Sequence, residues 1–283
     1  MIGLKTPAAI LRRLLMPTAE PCLACGRSIS SVSPAELPQL CENCAGQIPW
    51  IMEPRCRICG RVHGCPDCLR PEAQRRPFVI NRSAAVYDDL MRQWIAEYKY
   101  GGREDFASPF SIMLEQTYHR MCQELSVQEK AHGGRTYNRK GRSWRPDVVT
   151  WVPVSVRRLE ERGFNQTELM ARQMALRLRL PAAELLIRSV HTDKQSKKTR
   201  AQRLHNLDDA FSLIPNLDPW GFLKWDPIGN TKHPGGPFPI RVLLVDDIYT
   251  TGTTAAVCST ALKRLEKIVD RPVFVYILTL ARS

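Results

Sequence analysis

A parallel α/β sheet with helices on both faces, preceded by a small cysteine-rich domain, is the fold class that this sequence predicts. Three observations predict it. From residue 80 onward, short apolar and β-branched runs alternate with stretches of helical period, the pattern of βα units. Val242–Val245 is such a run, and it ends in two adjacent carboxylates and a loop of small residues, as expected of a strand buried on both faces of a parallel sheet. Eight of the ten cysteines lie between positions 22 and 68, where large apolar residues are too few to form a core.

The chain has 283 residues and is 43% hydrophobic, enough for a main domain and a smaller one. The division read from it is an amphipathic helix over 1–20, a zinc-binding domain of the four-cysteine type over 21–70 and the α/β domain over 80–283. The first segment carries Lys5, Arg12 and Arg13 among its apolar residues and has no clear signal-peptide core. No run reaches the roughly 18 apolar residues of a membrane span. A cytoplasmic setting follows, in which thiols stay reduced and clustered cysteines more often bind metal than form disulfides. The formal net charge of +13 suggests an anionic partner, nucleic acid being the commonest, although a basic surface also serves solubility.

The cysteines form four C-x-x-C pairs: Cys22/Cys25, Cys41/Cys44, Cys56/Cys59 and Cys65/Cys68. Two thiolates at this spacing grip one tetrahedral ion, so two pairs complete a closed Zn²⁺ site and four pairs imply two ions. The metal would supply the folding energy that the segment lacks. Gly26 and Gly60, each just after the second cysteine of a pair, suit a tight knuckle turn. Spacing does not fix which pairs combine. Sequential pairing closes shorter loops and is preferred to a cross-braced arrangement. His63, between two pairs, is a bystander where eight thiols are available.

Residues 69–80, with prolines and charge, read as a linker. A strand follows at S-A-A-V-Y, then a helix from Asp88 to Tyr98 with Leu90, Met91, Trp94 and Ile95 on one face. Lys99 comes next, in K-Y-G-G-R, either as a ligand-binding cation or as a solvated charge after which the glycines end the helix. A second amphipathic helix is expected over 106–125. Residues 127–145 are polar and basic, with Tyr137 and Trp144 interleaved. That composition suits single-stranded nucleic acid, through stacking and phosphate neutralisation, and equally suits a solvated insertion. The next strand is Asp147–Ser155, leading through a turn into a helix that Asn165 could cap. Leu185–Ser189 reads as a short strand, and a strongly basic segment follows to Phe211. Residues 215–239, with six prolines, read as an irregular insertion. The apolar run Arg271–Leu280 completes the sheet.

Within Val242–Thr254, V-L-L-V-D-D-I-Y-T-T-G-T-T, Asp246 and Asp247 fall at the carboxyl end of a strand, where open α/β sheets bind ligands. Thr250, Thr251, Gly252, Thr253 and Thr254 can turn backbone N–H groups and hydroxyls toward an anion at the start of the next helix. Two carboxylates would repel that anion, so they must face a sugar's vicinal hydroxyls or hydrated Mg²⁺. A ribose 5-phosphate meets both requirements.

This stretch resembles the phosphoribosyl pyrophosphate (PRPP) motif of type I phosphoribosyltransferases. The resemblance implies that Asp246 and Asp247 hold the ribose hydroxyls, that Thr250–Thr254 hold the 5-phosphate, and that the loop after the 147–155 strand holds pyrophosphate, with Arg157 and Arg158 its candidates. It further implies Mg²⁺ bound with PRPP, and a mobile basic loop in which Thr192, Gln195, Arg203 and Asn206 are the residues to test. The whole order, four C-x-x-C pairs, Y…K-x-G-G, V-P-V…R-G-F-N-Q, R-x-x-x-T-x-x-Q…N-x-x-x-x-F and V-D-D-I-Y-T-T-G-T-T, resembles the ComF family of competence-related proteins. That likeness implies a zinc-binding head on a phosphoribosyltransferase-type domain, handling of single-stranded DNA in natural transformation, and partners in the competence machinery. The segments 127–145 and 215–239 depart from the family pattern. A nucleotide-salvage transferase with a zinc head is one alternative, although no segment argues for a base-recognising hood. A non-catalytic nucleic-acid-binding scaffold is the other.

Overall fold

The computed structural model describes residues 20–29, 37–69, 76–131, 144–188, 210–223 and 239–283. The expected helix over 1–20, apart from Glu20, lies outside the described residues, as do Tyr137, Thr192, Gln195, Arg203 and Asn206. The chain divides into two compact units, Met1–Ile48 and Pro49–Ser283. The first four-cysteine group therefore belongs to one unit and the second to the other.

In the smaller unit, a bridge between Pro21 and Ser28 closes a turn, and α1 (Glu42–Gly46) carries Cys44. Among the described residues, Leu37, Leu40, Ala45 and Ile48 are its buried aliphatic side chains.

The larger unit begins with a second cysteine turn and α2 (Pro66–Leu69). It continues through β1 (Asn81–Val86), α3 (Asp89–Tyr100), a 3₁₀ turn (Glu104–Phe106) and α4 (Ala107–Ala131). Next come β2 (Val148–Trp151), α5 (Val156–Arg162), α6 (Gln166–Leu178), β3 (Leu186–Arg188), β4 (Phe211–Leu213) and α7 (Pro219–Leu223). The chain closes with β5 (Ile240–Tyr249), α8 (Thr253–Lys263), α9 (Glu266–Val269) and β6 (Val273–Arg282). The strands β1, β6, β5 and β2 lie in that order in one all-parallel sheet, and β3 and β4 form an antiparallel ribbon.

Central strands of such a sheet are covered on both faces, which explains their unbroken apolar sequence. Val242, Leu244, Val275 and Ile277 share a cluster with Val257, Cys258, Ala261 and Leu262 of α8. On the other face α4 lies against β1 and β6, and α6 against β2 and β5. The expected α/β class is therefore what the chain adopts, with its cysteine-rich region at the amino-terminal side.

Several local expectations change. The strand at 242–245 runs on to Tyr249, because Asp246, Ile248 and Tyr249 keep their pairing with Thr279, Ala281 and Arg282. The second helix reaches Ala131, several residues beyond its expected end. Phe78 and Ile80, expected in a linker, are buried, and Phe78 meets the Tyr249 ring edge-on with centroids 6.3 Å apart. Trp144 is 1% exposed and packs against Tyr276, centroids 4.6 Å apart, so it has no free face for a base. The irregular stretch after Pro215 includes one helical turn, α7.

Candidate functional site

The carboxylates sit where β5 leaves the sheet core. Asp247 N–H donates to Asp246 Oδ1 at 2.9 Å, which fixes the Asp246 carboxyl against the backbone of its neighbour. Lys99, in the last turn of α3, forms an ion pair with Asp247 Oδ2. Asp246 has no such partner among the described residues, and burial, reinforced by the neighbouring Asp247 charge, raises its carboxyl to about 8. The pair thus divides into one carboxylate matched by a cation and one carboxyl that holds its proton near neutral pH.

Beyond β5 the chain turns through Thr250–Gly252 into α8. Gly252 caps the helix with φ of 84°, a left-handed conformation, and an added Cβ would lie 2.1 Å from Tyr249 Oη. Gly252 has no side chain to cap α8, and the nearest local acceptor is the Thr251 hydroxyl, which accepts from Thr253 N–H at 3.4 Å. The Thr251 and Thr253 hydroxyls are 2.9 Å apart, and both residues are exposed. Asp246, Tyr249, Thr250, Gly252, Thr253 and Thr254 line a small cleft together with Ile248 and Ala255. A helix amino terminus and threonine hydroxyls at one concavity are features that favour an anion.

A second cluster lies at the ends of α3 and α5. Ser155 caps α5, its hydroxyl accepting from Arg158 N–H at 3.3 Å, and Gly163 ends the helix with φ of 80°. Arg158 Nη1 and Arg162 Nη2 each donate to Tyr100 Oη at 3.0 Å, and the Arg162 guanidinium lies over the Tyr100 ring, 4.8 Å from its centroid. The hydrogen bond from Arg158, with the nearby positive charges, holds the Tyr100 hydroxyl below its ordinary range. Arg157 instead pairs with Glu161 and is 87% exposed. Of the two arginines singled out in the sequence, Arg158 joins this cluster. Neither Tyr100 nor Arg162 stands out in the sequence as a site residue, although each has a signal beside it. Tyr100 follows Lys99, and Arg162 stands four residues after Arg158, on the same helical face.

The R-G-F-N-Q turn holds this arrangement in place. Arg162 Nη1 donates to Gln166 Oε1 at 2.7 Å, and Asn165 Oδ1 accepts from Thr167 N–H at 3.1 Å, capping α6. Thr167 Oγ1 donates to the Val152 carbonyl just after β2 at 2.6 Å, and Phe164 meets the buried Tyr98 ring with centroids 5.4 Å apart.

The cysteines gather as two groups of four, Cys22, Cys25, Cys41 and Cys44, and Cys56, Cys59, Cys65 and Cys68, with the ligand atoms of each group all within 4.8 Å of one another. Sequential pairing is therefore the one adopted. Tetrahedral Zn²⁺ with Zn–S bonds of about 2.3 Å requires sulfurs about 3.8 Å apart. Cys25 and Cys41 Sγ are 3.7 Å apart, and Cys59 and Cys65 Sγ 3.4 Å, so both groups fit one ion each. The turns repeat: Gly26 N–H donates to the Cys22 carbonyl at 2.8 Å, and Gly60 N–H to the Cys56 carbonyl at 3.0 Å. Burial acts to raise the Cys22 thiol, but backbone N–H groups, Cys41 first among them, outweigh it and bring the thiol down to about 6. A thiolate at neutral pH is the form that binds metal. His63 is in neither group.

Fold and site together define an α/β protein with two four-thiol centres and a threonine–glycine loop beside paired carboxyl groups. The chain matches no family model. It is 27% identical over 235 residues to competence protein ComFC of Bacillus subtilis, covering 81% of this chain and 78% of that protein. It is also 27% identical over 233 residues to competence protein F of Haemophilus influenzae, covering 80% and 85%. With DNA utilization protein YhgH of Salmonella typhimurium it shares 24% identity over 237 residues, covering 78% and 88%. These relatives support the ComF family, the one that the sequence resembles.

Proposed function

We propose that the protein is a ComF-type factor in DNA uptake that binds PRPP with Mg²⁺ and engages single-stranded DNA in the cytoplasm. The observation that carries the PRPP reading is the Thr250–Thr254 loop, which opens α8 beside Asp246 and Asp247 at the carboxyl edge of a buried parallel strand. In this reading the loop N–H groups and hydroxyls take the 5-phosphate. Asp247, oriented by Lys99, accepts from a ribose hydroxyl, and protonated Asp246 can donate to one. Arg158 and Arg162 offer charge to the diphosphate, with Tyr100 holding them together. Mg²⁺ bound with the diphosphate would neutralise part of its charge. If turnover occurs, the C1–O bond to pyrophosphate breaks and an acceptor bonds to C1, the cationic transition state resting near the Asp247 carboxylate.

The names of the relatives and the net charge of +13 support the DNA role. Competence-machinery proteins are the partners that this role implies. Calorimetry with PRPP and Mg²⁺ on the wild type and on an Asp246→Asn/Asp247→Asn variant tests the ligand. Heat in the wild type that is lost in the variant is expected, and no heat in the wild type refutes the claim. Single-stranded DNA binding must weaken as salt rises, and a salt-independent or absent signal removes the DNA claim.

A further inference from the structure

The second four-cysteine group and the threonine–glycine loop, both in the larger unit, are joined by two arginines. Arg76 Nη1 donates to Tyr249 Oη at 2.6 Å and lies 3.5 Å from Cys68 Sγ. Arg282, 4% exposed at the end of β6, donates from Nη1 to the Tyr249 carbonyl at 3.2 Å and the Thr250 carbonyl at 2.8 Å, and also to the Ser283 carbonyl. Its Nη2 lies 3.5 Å from Cys59 Sγ, and its guanidinium covers the Tyr249 ring, 4.8 Å from the centroid. Each arginine therefore touches one sulfur of the group and one end of Tyr249, the residue from which the loop departs.

Charge gives this geometry its meaning. A guanidinium stays protonated in a protein, and a buried charge needs an opposite one. No aspartate or glutamate carboxylate pairs with Arg76 or Arg282 among the described residues, and Arg282 Nε is buried without a hydrogen-bond partner. Four thiolates around a divalent ion carry a net double negative charge, and the two guanidinium groups can balance it. Hydrogen bonds and cations around such ligands are the ordinary means by which an outer shell orients a metal site. The cysteines are also part of the sheet's own core, since Cys59, Cys65 and Cys68 share a cluster with Tyr249, Leu244 and Ala255. Above Tyr249, Gly252 sits so close to Oη that the hydroxyl's position sets how low the loop can lie.

We infer that metal in the second four-cysteine group anchors the Thr250–Thr254 loop, with Arg76 and Arg282 as positioning residues and Tyr249 as the strut they hold. The loop's ligand rests on the PRPP reading, but the anchoring does not. Because coupling between two sites is reciprocal, whatever stiffens the loop also retains the metal.

The test uses the full chain loaded with zinc. Amide hydrogen exchange is read at 250–254 and, as a reference, at 166–178, and zinc release to a chromogenic chelator is followed in parallel. Arg76→Met is expected to speed loop exchange on the order of tenfold and to speed release of one zinc ion comparably, leaving 166–178 unchanged, with both effects largely rescued by Arg76→Lys. Tyr249→Phe keeps the ring but removes the strut's hydroxyl, and is expected to speed loop exchange and, through the same coupling, to speed zinc release less than Arg76→Met does, since both arginines still reach the sulfurs. Faster zinc release in Arg76→Met with loop exchange unchanged would overturn the inference, as would unchanged loop exchange in Tyr249→Phe. The second variant decides the matter if the first does not fold. PRPP–Mg²⁺ calorimetry on the wild type is scored separately, so loss of the ligand reading leaves the anchoring result intact.

Discussion

At Gly252 a single added methyl group has nowhere to go, since it would meet Tyr249 Oη at 2.1 Å and Cζ at 2.6 Å, on a backbone with φ of 84°. Gly102 is the natural control, because it also has positive φ, of 66°, but open space around its Cβ. In urea unfolding Gly102→Ala should lose about 1–2 kcal/mol, the left-handed backbone cost alone. Gly252→Ala should lose clearly more, the excess measuring the clash with Tyr249. Asp246 gives a pH-dependent prediction. Burial, with the Asp247 charge, raises its carboxyl from the ordinary 3.8 to about 8, so the folded state holds a proton that the unfolded chain releases. Its contribution to stability is complete below 3.8 and is lost as pH climbs to about 8. Asp246→Asn, which is neutral throughout, should therefore melt like the wild type near pH 4 and above it at pH 8, by roughly 2–4 °C for each kcal/mol relieved. Thermal scans across that range check it, and a variant that melts below the wild type at pH 8 would contradict the raised carboxyl. The acid pair itself was plain in the sequence. Its asymmetry was not, because Lys99 reaches Asp247 across the fold.

Elements were legible wherever their own periodicity set them. The strand at β5 and the helices at α3 and α6 follow from apolar runs and helical faces within one segment. Their ends depended on partners far away in sequence: β5 continues past its carboxylates because β6 offers Thr279, Ala281 and Arg282 for pairing. Residues 69–80 read as a linker because prolines and charge hide Phe78 and Ile80, whose burial depends on the sheet. The basic segments draw the same lesson for function. Trp144 among arginines has the composition of a stacking platform, yet it is spent on Tyr276. At α5 the helical face decides which arginines can act. Arg158 and Arg162 converge on Tyr100, whereas Arg157 is engaged with Glu161. Loss of one charged donor to a diphosphate should weaken binding on the order of tenfold. PRPP titrations should thus show that weakening for Arg162→Ala, and a change within about twofold for Arg157→Ala. Equal losses in both would place the diphosphate elsewhere.

For the whole molecule, the decisive contrast is between the two units and what each has besides metal. Among the described residues, the unit ending at Ile48 buries the aliphatic side chains of Leu37, Leu40, Ala45 and Ile48, and its described backbone has one short helix and one isolated bridge. A core of that size does not offset the entropy of ordering these described residues, so an ion held by Cys22, Cys25, Cys41 and Cys44 would supply most of the free energy that orders them. The unit from Pro49 to Ser283 has a four-stranded parallel sheet covered on both faces, and its cysteine group is one part of a much larger apolar cluster. Stripping zinc should therefore act unequally. With excess chelator under reducing conditions, limited proteolysis should open cleavage sites within 20–48, while segments 81–131 and 240–282 stay protected and the far-ultraviolet signal of the sheet and helices changes little. Restoring Zn²⁺ should restore protection at 20–48. If the sheet segments become cleavable together with 20–48, the second ion holds up the whole larger unit. If 20–48 resists without metal, its few apolar contacts suffice and the metal there is not what folds it.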